Sequence, residues 1–330
     1  MTAASGPIDV VVERFPIAGA FTISRGSKTE AVVVVARVAR DGLSGSGECV
    51  PYARYGETVE GAVAALRQQA DFIRDGADRR AIQRAMAPGA ARNALDCALW
   101  CVEARRAREP VWRLAGLPPP RPVVTAYTLS LSDPSSMHEA AVRAAGRPLL
   151  KIKLGGDGDD ERIRAVRRGA PDSELIVDAN EAWNGSNFGA NLRACVDAGV
   201  SLIEQPLPAG ADGILEDFDS PIPLCADESF HGASELDAVA RRYRMINLKL
   251  DKTGGLTEAI AVAEAARARG LGIMVGCMLG TSLGMAPAFL LAPWARYVDL
   301  DGPLLLARDR EPGFRFDGST MLADYALDWN

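Results

Sequence analysis

Charged side chains follow five successive apolar segments in the second half of the 330-residue sequence, at a nearly constant spacing. They are Lys153, Asp178, Glu204, Asp227 and Lys249, each 22 to 26 residues after the one before. A strand, a helix and their loops take about that many residues, so a charge with this period falls at the same end of each strand. In a parallel barrel that end is the catalytic mouth, where these three carboxylates and two lysines are expected to meet.

Asp178, Glu204 and Asp227 are predicted to be metal ligands. Three converging carboxylates repel one another unless a cation lies among them. The six cysteines form no Cys-x-x-Cys pair and the two histidines are far apart, so we expect an oxygen-only site for Mg²⁺ or Mn²⁺. A single aspartate after a strand is more often a turn residue or a helix cap, and the joint pattern carries the prediction.

The lysines could move a proton. Lys151 and Lys153 lie two residues apart in one strand and share a face, whereas Lys249 approaches the centre from the opposite side. A lysine near a divalent cation and another ammonium loses its proton more easily. We therefore expect Lys153 and Lys249 to exchange the proton α to a substrate carboxylate, with the metal stabilising the enediolate. Lys151 is expected to hold that carboxylate and to lower the pKa of Lys153.

A regular alternation of apolar runs and helical patterns would position these residues. Eight short apolar runs occur after residue 119, which predicts an α/β fold with a closed parallel barrel rather than an open sheet. The predicted strands lie near 123–129, 149–154, 174–178, 201–204, 222–226, 245–250, 272–276 and 296–300.

The first 118 residues have a different pattern and predict a small α+β domain. Strands at 8–14, 31–38 and 45–50 precede helices at 57–74 and 90–108, and a Pro-rich linker follows. We expect this domain at 1–118, the barrel at 119–302, and a tail at 303–330 that returns to the first domain.

Composition excludes several classes of function. The sequence has 37 basic and 43 acidic residues, a net charge of −6 and a pI near 5.2, so no nucleic-acid binding is expected. The uncharged stretch 270–295 is long enough to span a membrane, but its five glycines and two prolines favour a buried strand, loop and helix. With no signal-peptide pattern visible, we expect a cytoplasmic protein without membrane contact. A homo-oligomer is left open.

Two motifs resemble the muconate-lactonizing-like subgroup of the enolase superfamily: KIK at 151–153 and NLKLDKTGG at 247–255. Other segments are similar to the dipeptide epimerases of that subgroup, specifically those that act on L-Ala-D/L-Glu in bacterial murein recycling. These segments are FTISRGS at 21–27, ECVPYARYGE at 48–57, GCML at 276–279 and DLD at 299–301. The resemblance covers nearly the whole chain. It implies a modified TIM barrel, (β/α)7β, under an α+β capping domain built from the N-terminal part and the tail.

The resemblance also implies an activity: Mg-dependent epimerisation at the C-terminal residue of a dipeptide, by two-base 1,1-proton transfer. A substrate such as L-Ala-Glu carries an ammonium, an α-carboxylate and a side-chain carboxylate. The metal and Lys151 can take the α-carboxylate, and Asp299 with Asp301 the ammonium. Arg25, in a polar loop between two predicted strands, is the candidate for the side-chain carboxylate because arginine binds carboxylates in a bidentate manner.

Several alternatives stay open. Lys28 and Arg54 compete with Arg25, and Thr125, in the first barrel strand, is a candidate for the pocket wall. Gly280 stands where many subgroup members carry an acidic or other polar side chain, so its effect on the pocket is undefined. The same scaffold serves o-succinylbenzoate synthases, N-acylamino acid racemases and cycloisomerases, and an inactive barrel used for binding is a further alternative. The aspartates at 299 and 301 favour a substrate with a free amine, unless they merely cap the last strand.

Overall fold

The N-terminal part of the protein packs an antiparallel sheet against helices, in a computed structural model that describes residues 7–327 and 329. The sheet, in the order β1-β2-β3, consists of β1 (Ile8–Ile23), β2 (Gly26–Arg40) and β3 (Leu43–Cys49). The helices are α1 (Val59–Arg67), α2 (Ala70–Arg74), α3 (Arg79–Ala85), α4 (Ala90–Ala107) and α5 (Val111–Leu114). Helix α4 lies so close to β3 that a Cβ atom at Gly47 would be 2.1 Å from the carbonyl oxygen of Ala94.

Eight parallel strands form the second sheet, in the order β12-β11-β10-β9-β8-β7-β6-β5. They are β5 (Tyr127–Leu129), β6 (Leu149–Lys153), β7 (Glu174–Asp178), β8 (Val200–Glu204), β9 (Leu224–Ala226), β10 (Met245–Leu248), β11 (Gly272–Gly276) and β12 (Tyr297–Asp299). The edges meet where the amide of Ala126 donates to the carbonyl of Val298 at 2.8 Å. The predicted barrel with a capping unit is confirmed.

Helices connect most of these strands. They are α6 (Pro134–Ala144), α7 (Asp159–Gly169), α8 (Phe188–Asp197), α9 (Leu236–Arg242), α10 (Leu250–Thr253), α11 (Leu256–Ala268), α12 (Ser282–Phe289) and, after the last strand, α13 (Gly302–Leu305). Single 3-10 turns lie at Ala53–Tyr55, Gly213–Asp217, Ala233–Glu235 and Ala292–Trp294. In the part of the chain that the structure describes, no helix has the length and apolar character needed to cross a membrane.

The end of the chain folds back over both parts. A small antiparallel sheet joins β13 (Phe316–Asp317) and β14 (Thr320–Met321) to β4 (Val123–Val124), and α14 (Asp324–Leu327) follows. Leu306 forms an antiparallel bridge with Ile17 of β1. The tail is therefore tied to the start of the barrel and to the N-terminal sheet.

Four predicted elements were wrong in extent. The apolar run 123–129 is divided, because β4 pairs with the tail and only β5 belongs to the barrel. The predicted helix at 57–74 is two helices, α1 and α2. The hairpin β1–β2 runs far beyond the predicted 8–14 and 31–38, since its pairing resumes at Phe21 and Lys28 after an irregularity and ends at the Ile23–Gly26 turn.

Candidate active site

The barrel interior is built in layers, and the period of two along each strand sets their composition. A closed apolar layer takes one buried residue from each strand or, for β5, the residue just before it: Ala126, Leu149, Ile176, Leu202, Cys225, Met245, Met274 and Tyr297. Two residues further along each strand, towards the carboxyl ends, the corresponding positions are Thr128, Lys151, Asp178, Glu204, Asp227, Asn247, Gly276 and Asp299. A largely polar layer therefore rests on an apolar floor, at the end where barrel enzymes carry their active sites.

The three predicted metal ligands lie on consecutive strands. Asp178 and Glu204 are partners in the β7–β8 ladder, and Asp227 directly follows β9. All three are buried, at 0%, 1% and 2% exposure. Burial and the neighbouring charge of Asp178 raise the pKa of Glu204. Burial is the larger cause of this rise, and Asp178 contributes because it is the ladder partner of Glu204.

Lysines compensate the two aspartates. Lys153 Nζ donates to Oδ2 of Asp178 at 2.6 Å, and Lys249 Nζ donates to Oδ2 of Asp227 at 2.7 Å. Burial opposes ionisation of the aspartates, but the lysine charges outweigh it and hold the pKa of Asp178 and of Asp227 below its usual range. Burial also lowers the pKa of Lys249, yet Asp227 and Glu204 outweigh that effect and raise it well above normal. A raised pKa is the opposite of what a lysine needs to act as a base near neutral pH.

Lys151 lies between the other groups. Its ammonium forms ion pairs with Asp178 at 3.2 Å, Glu204 at 2.7 Å and Asp299 at 2.7 Å. Burial lowers its pKa, but these three carboxylates raise it well above the usual value. Lys151 is therefore a fixed positive charge suited to holding an anion.

A divalent cation fits the chemistry of this donor set. The carboxylates of Asp178, Glu204 and Asp227 are buried oxygen donors on adjacent strands, and their excess negative charge is what the lysines now balance. Among the residues described, no three acidic, histidine or cysteine side chains converge closely enough to form a finished metal site. Asp178, Glu204 and Asp227 would hold such a cation, and the cation would supply the positive charge that Lys153 and Lys249 now place beside Asp178 and Asp227.

Four further residues contact the predicted site residues and were not predicted from the sequence. Asn247 Nδ2 donates to Oε1 of Glu204 at 2.7 Å, and Lys252 Nζ donates to Oδ1 of Asp227 at 2.7 Å. Gln205 Oε1 accepts from the amide of Asp227 at 2.9 Å. Glu228, buried beside Asp227, has a pKa raised to about 7 by burial and by that neighbour. Asn247 could have been found from the period of two, whereas the contacts of the other three depend on loop geometry.

The two aspartates of the last strand lie at the barrel mouth with different partners. Asp299 Oδ2 accepts from Lys151, and its Oδ1 is buried without a hydrogen-bond partner within the described ranges. Asp301 Oδ2 accepts from the amide of Thr128 at 2.7 Å. Burial and the charge of Asp299 raise the pKa of Asp301 to about 7. Thr125 is fully buried and its hydroxyl accepts from the amide of Leu300, so its contacts lie in the seam of the barrel.

The β1–β2 turn lies over the mouth, as its loop-like sequence suggested. Arg25 donates to Oε1 of Glu228 at 2.6 Å, to the carbonyl of Asn180 at 2.9 Å and to the hydroxyl of Tyr52 at 3.0 Å. It also forms an ion pair with Glu181 at 3.3 Å. These bonds occupy each nitrogen of the guanidinium, and they clasp the turn to the barrel.

Arg54 and Lys28, the competing candidates for the side-chain carboxylate, differ in whether their charge is paired within the protein. Arg54 is held by a bidentate pair with Glu181, at 2.8 Å for each bond. Lys28 Nζ lies 5.7 Å from the centre of the Tyr52 ring, and it has no side-chain hydrogen bond or ion pair with any residue in the described ranges. Desolvation by burial lowers the pKa of Lys28. Lys28 is therefore the candidate with an unused charge.

The space beside Gly280 is filled from the N-terminal part. A Cβ atom at Gly280 would lie 2.9 Å from Oε1 of Glu48, whose carboxylate also accepts from the amide of Thr281 at 2.8 Å and from Arg310 at 2.9 Å. The Glu48 carboxylate thus occupies the space beside Gly280, and any side chain at position 280 would collide with it.

Comparison with known proteins identifies the family. Residues 7–116 match the N-terminal domain model of mandelate racemase and muconate lactonizing enzyme, and residues 136–305 match the enolase C-terminal domain-like model. The chain is 45% identical to an L-Ala-D/L-Glu epimerase of Escherichia coli over 311 residues, covering 94% of this chain and 97% of that protein. It is 44% identical over 292 residues to an N-acetyl-D-glutamate racemase of a Pseudoalteromonas species, with coverages of 88% and 92%.

Solved structures of similar proteins identify the same family. An enolase family member from Agrobacterium tumefaciens with homology to dipeptide epimerases, solved with sodium and L-Ala-L-Glu and with an ordered loop, is 50% identical with a TM-score of 0.93, covering 96% of this chain and 97% of that one. A dipeptide epimerase from Methylococcus capsulatus, complexed with Mg and L-Arg-D-Lys, is 30% identical with a TM-score of 0.85 and 96% coverage of each chain. The chain therefore belongs to the mandelate racemase and muconate lactonizing enzyme family of the enolase superfamily, and it is an isomerase of the racemase and epimerase class.

Proposed function

We propose that the protein is a Mg-dependent dipeptide epimerase that inverts the C-terminal residue of L-Ala-D-Glu and L-Ala-L-Glu. The observation that carries this proposal is the placement of two buried lysines on β6 and after β10, with the carboxylate strands β7, β8 and β9 between them. The relatives with L-Ala-D/L-Glu in their names or ligands support the choice of substrate.

Asp178, Glu204 and Asp227 would hold the cation. Mg²⁺ suits these donors, as it is present in the Methylococcus epimerase, and Mn²⁺ accepts the same oxygen ligands. When bound, the cation would neutralise the substrate carboxylate and stabilise the negative charge that develops there as the α-proton leaves.

The three lysines would divide the remaining work. Lys151, with its raised pKa, stays protonated and binds the substrate carboxylate as a fixed charge. Lys153 takes or returns the proton on one face of the α-carbon, and Lys249 does so on the other. Each must first be freed from its aspartate, because an ammonium in a buried ion pair is a poor base.

Different residues would bind the ammonium of the dipeptide and its glutamate side chain. We propose that Asp299 and Asp301 receive the free ammonium, Asp299 through its unpartnered oxygen. For the glutamate side chain, Arg25 was the candidate from sequence, but its donors hold the loop closed. Lys28, in β2 beside Tyr52, is the better candidate for the side-chain carboxylate, with Arg25 placing the hairpin to which Lys28 belongs.

A second candidate function is racemisation of an N-acylated glutamate, which the Pseudoalteromonas relative favours. Such a substrate has no ammonium, so Asp299 and Asp301 would have no partner in it. Steady-state assays of L-Ala-L-Glu and N-acetyl-L-Glu with one Mg²⁺-loaded preparation decide between them. We expect kcat/KM to be higher for the dipeptide, and a higher value for the acylated amino acid would favour the second function.

We further propose that the cap at 1–118 and the tail at 303–330 close the barrel at 119–302 over its mouth. The support is the β4–β14 pairing, the Ile17–Leu306 bridge and the contacts of Arg25 with the barrel. A role in recycling murein peptides in the cytoplasm follows from the proposed substrate, and Thr125 would act by shaping the wall of the barrel.

A further inference from the structure

The turn that carries Lys249 is too short to fix its own orientation. Helix α10 is four residues long, and Lys249 immediately precedes it. Within this turn the carbonyl of Lys249 accepts from the amides of Lys252 at 3.0 Å and Thr253 at 3.1 Å. One helical turn has few internal hydrogen bonds, so contacts from outside decide where its first residue points.

Within the barrel, Lys252 of this turn donates to Asp227, and the remaining contacts come from the N-terminal part, mainly from helix α4. Asn93 Nδ2 donates to Oδ1 of Asp251 at 2.8 Å, and the amide of Val50 reaches the same oxygen at 3.3 Å. Arg92 donates to the carbonyls of Thr253 at 2.6 Å and Gly254 at 3.1 Å. Asn93 and Arg92 are only 3% and 5% exposed. The capping helix thus holds the middle and the end of α10.

The fit between α4 and the following loop is close. Gly254 and Gly255 have φ angles of 79° and 115°, and Cβ atoms there would lie 2.4 Å from Nε of Arg92 and 2.5 Å from Oδ2 of Asp96. Both positions therefore need glycine, for backbone conformation and for the approach of the helix. A small shift of α4 must be transmitted to the turn, because there is no free space between them.

The loop after Lys153 is held differently. Asp159, fully buried, accepts from the amides of Gly155 at 2.9 Å and Gly156 at 2.7 Å and from Nε1 of Trp183 at 2.9 Å. All these groups belong to the barrel. The N-terminal part approaches Lys153 through the ring of Phe21, whose centre lies 5.7 Å from Nζ. The two lysines are thus oriented by separate sets of hydrogen bonds.

We propose that Asn93 and Asp251 are positioning residues for Lys249, and that their contact controls proton transfer on one face of the substrate while sparing the other. This inference rests on the proposed two-base function. Neither residue needs to touch the substrate, since each acts through the orientation of α10. A displacement of about 1 Å at a reacting group can cost ~10²-fold in rate, so the effect should be large on the Lys249 face.

The test measures exchange of the α-proton in D₂O, starting from L-Ala-L-Glu and from L-Ala-D-Glu, with the Mg²⁺-loaded enzyme. The epimer whose exchange is lost in Lys249→Ala defines the Lys249 face. We expect Asn93→Ala and Asp251→Ala to slow exchange of that epimer roughly 10- to 100-fold and the other less than about 3-fold. Asp251→Asn keeps an acceptor oxygen for Asn93 and Val50 and should restore most of the rate. Asn93→Ser is the substitute if Asn93→Ala does not fold.

Thr257→Val is the matched control. It removes hydrogen bonds with Asp96 and Trp100 in the same interface but none to the 249–253 turn. It should lower the unfolding temperature without changing the ratio of the two exchange rates. Equal loss for both epimers in Asn93→Ala and Asp251→Ala, or no loss for either, would overturn the inference. By contrast, exchange of neither epimer by the unaltered enzyme would overturn the proposed function.

Discussion

Arg25 lies in the β1–β2 turn and Lys28 lies three residues later in β2, and both face the same Tyr52 ring, at 5.8 Å and 5.7 Å from its centre. One is bonded on every nitrogen and the other carries an unused charge. The substitution Lys28→Ala should therefore raise KM for L-Ala-L-Glu by roughly 10- to 100-fold, because a hydrogen bond to a charged group contributes about 1.5–3 kcal/mol.

L-Ala-L-Leu, with an apolar second residue, is the control substrate for this prediction, and its kcat/KM should change little in Lys28→Ala. Arg25→Ala should reduce turnover of both dipeptides, since it releases the turn from Glu228 and Asn180. If Arg25→Ala acted on the Glu substrate alone and Lys28→Ala on neither, Arg25 would be the residue that reads the side chain.

Removal of one proposed metal ligand should greatly reduce turnover while the fold persists. We expect Asp178→Asn, Glu204→Gln and Asp227→Asn each to lower kcat by roughly 100-fold or more, because charge stabilisation at the reacting carboxylate is lost. Chelator should inactivate the unaltered enzyme, and added Mg²⁺ should restore it. Circular dichroism provides the folding control, and full activity in excess chelator would contradict the prediction.

The pH dependence of KM should report the ionisation of Asp301. Its pKa is raised to about 7, so at pH 6 the carboxyl is mostly neutral and pairs poorly with an ammonium. KM for the dipeptide should therefore fall between pH 6 and 7.5, before the substrate amine, with a pKa of about 8, begins to lose its proton. Asp301→Asn should flatten this part of the profile, and an unchanged profile in that variant would assign the titration to another group.

The predictions from sequence were accurate where a repeated spacing determines which residues lie on neighbouring strands. The spacing of Asp178, Glu204 and Asp227 was enough to place three carboxylates on adjacent strands, because the period of the barrel fixes which end of each strand a residue occupies. The same pattern could not show that Lys249 would pair with Asp227, since burial and neighbouring charges set that balance.

The contacts between residues far apart in the chain could not be predicted from the sequence. The run at 123–129 has the apolar character of one strand, and only the returning tail shows that its first residues pair elsewhere. The acidic partner of Gly280 comes from Glu48, which lies more than 200 positions earlier in the chain. The contact of Asn93 with Asp251 is of the same kind, so no local signal marks it.

Glu48 also gives a stability prediction. Gly280→Ala should lower the free energy of unfolding by about 1–3 kcal/mol, because its Cβ would lie 2.9 Å from a carboxylate held by Thr281 and Arg310. Gly185→Ala, at a position with open space around it, is the matched control and should leave stability nearly unchanged. Denaturant unfolding measures both, and equal stability of the two variants would show that the site accommodates a methyl group.

The most direct measurement of the central claim is α-proton exchange in D₂O by the unaltered enzyme, Lys153→Ala and Lys249→Ala, with each epimer of L-Ala-Glu in turn. A two-base mechanism predicts that the unaltered enzyme exchanges both epimers and that neither variant epimerises. It also predicts that each variant retains exchange of one epimer, and that the retained epimers are opposite. Equal exchange of both epimers by both variants would contradict the assignment of one base to each face.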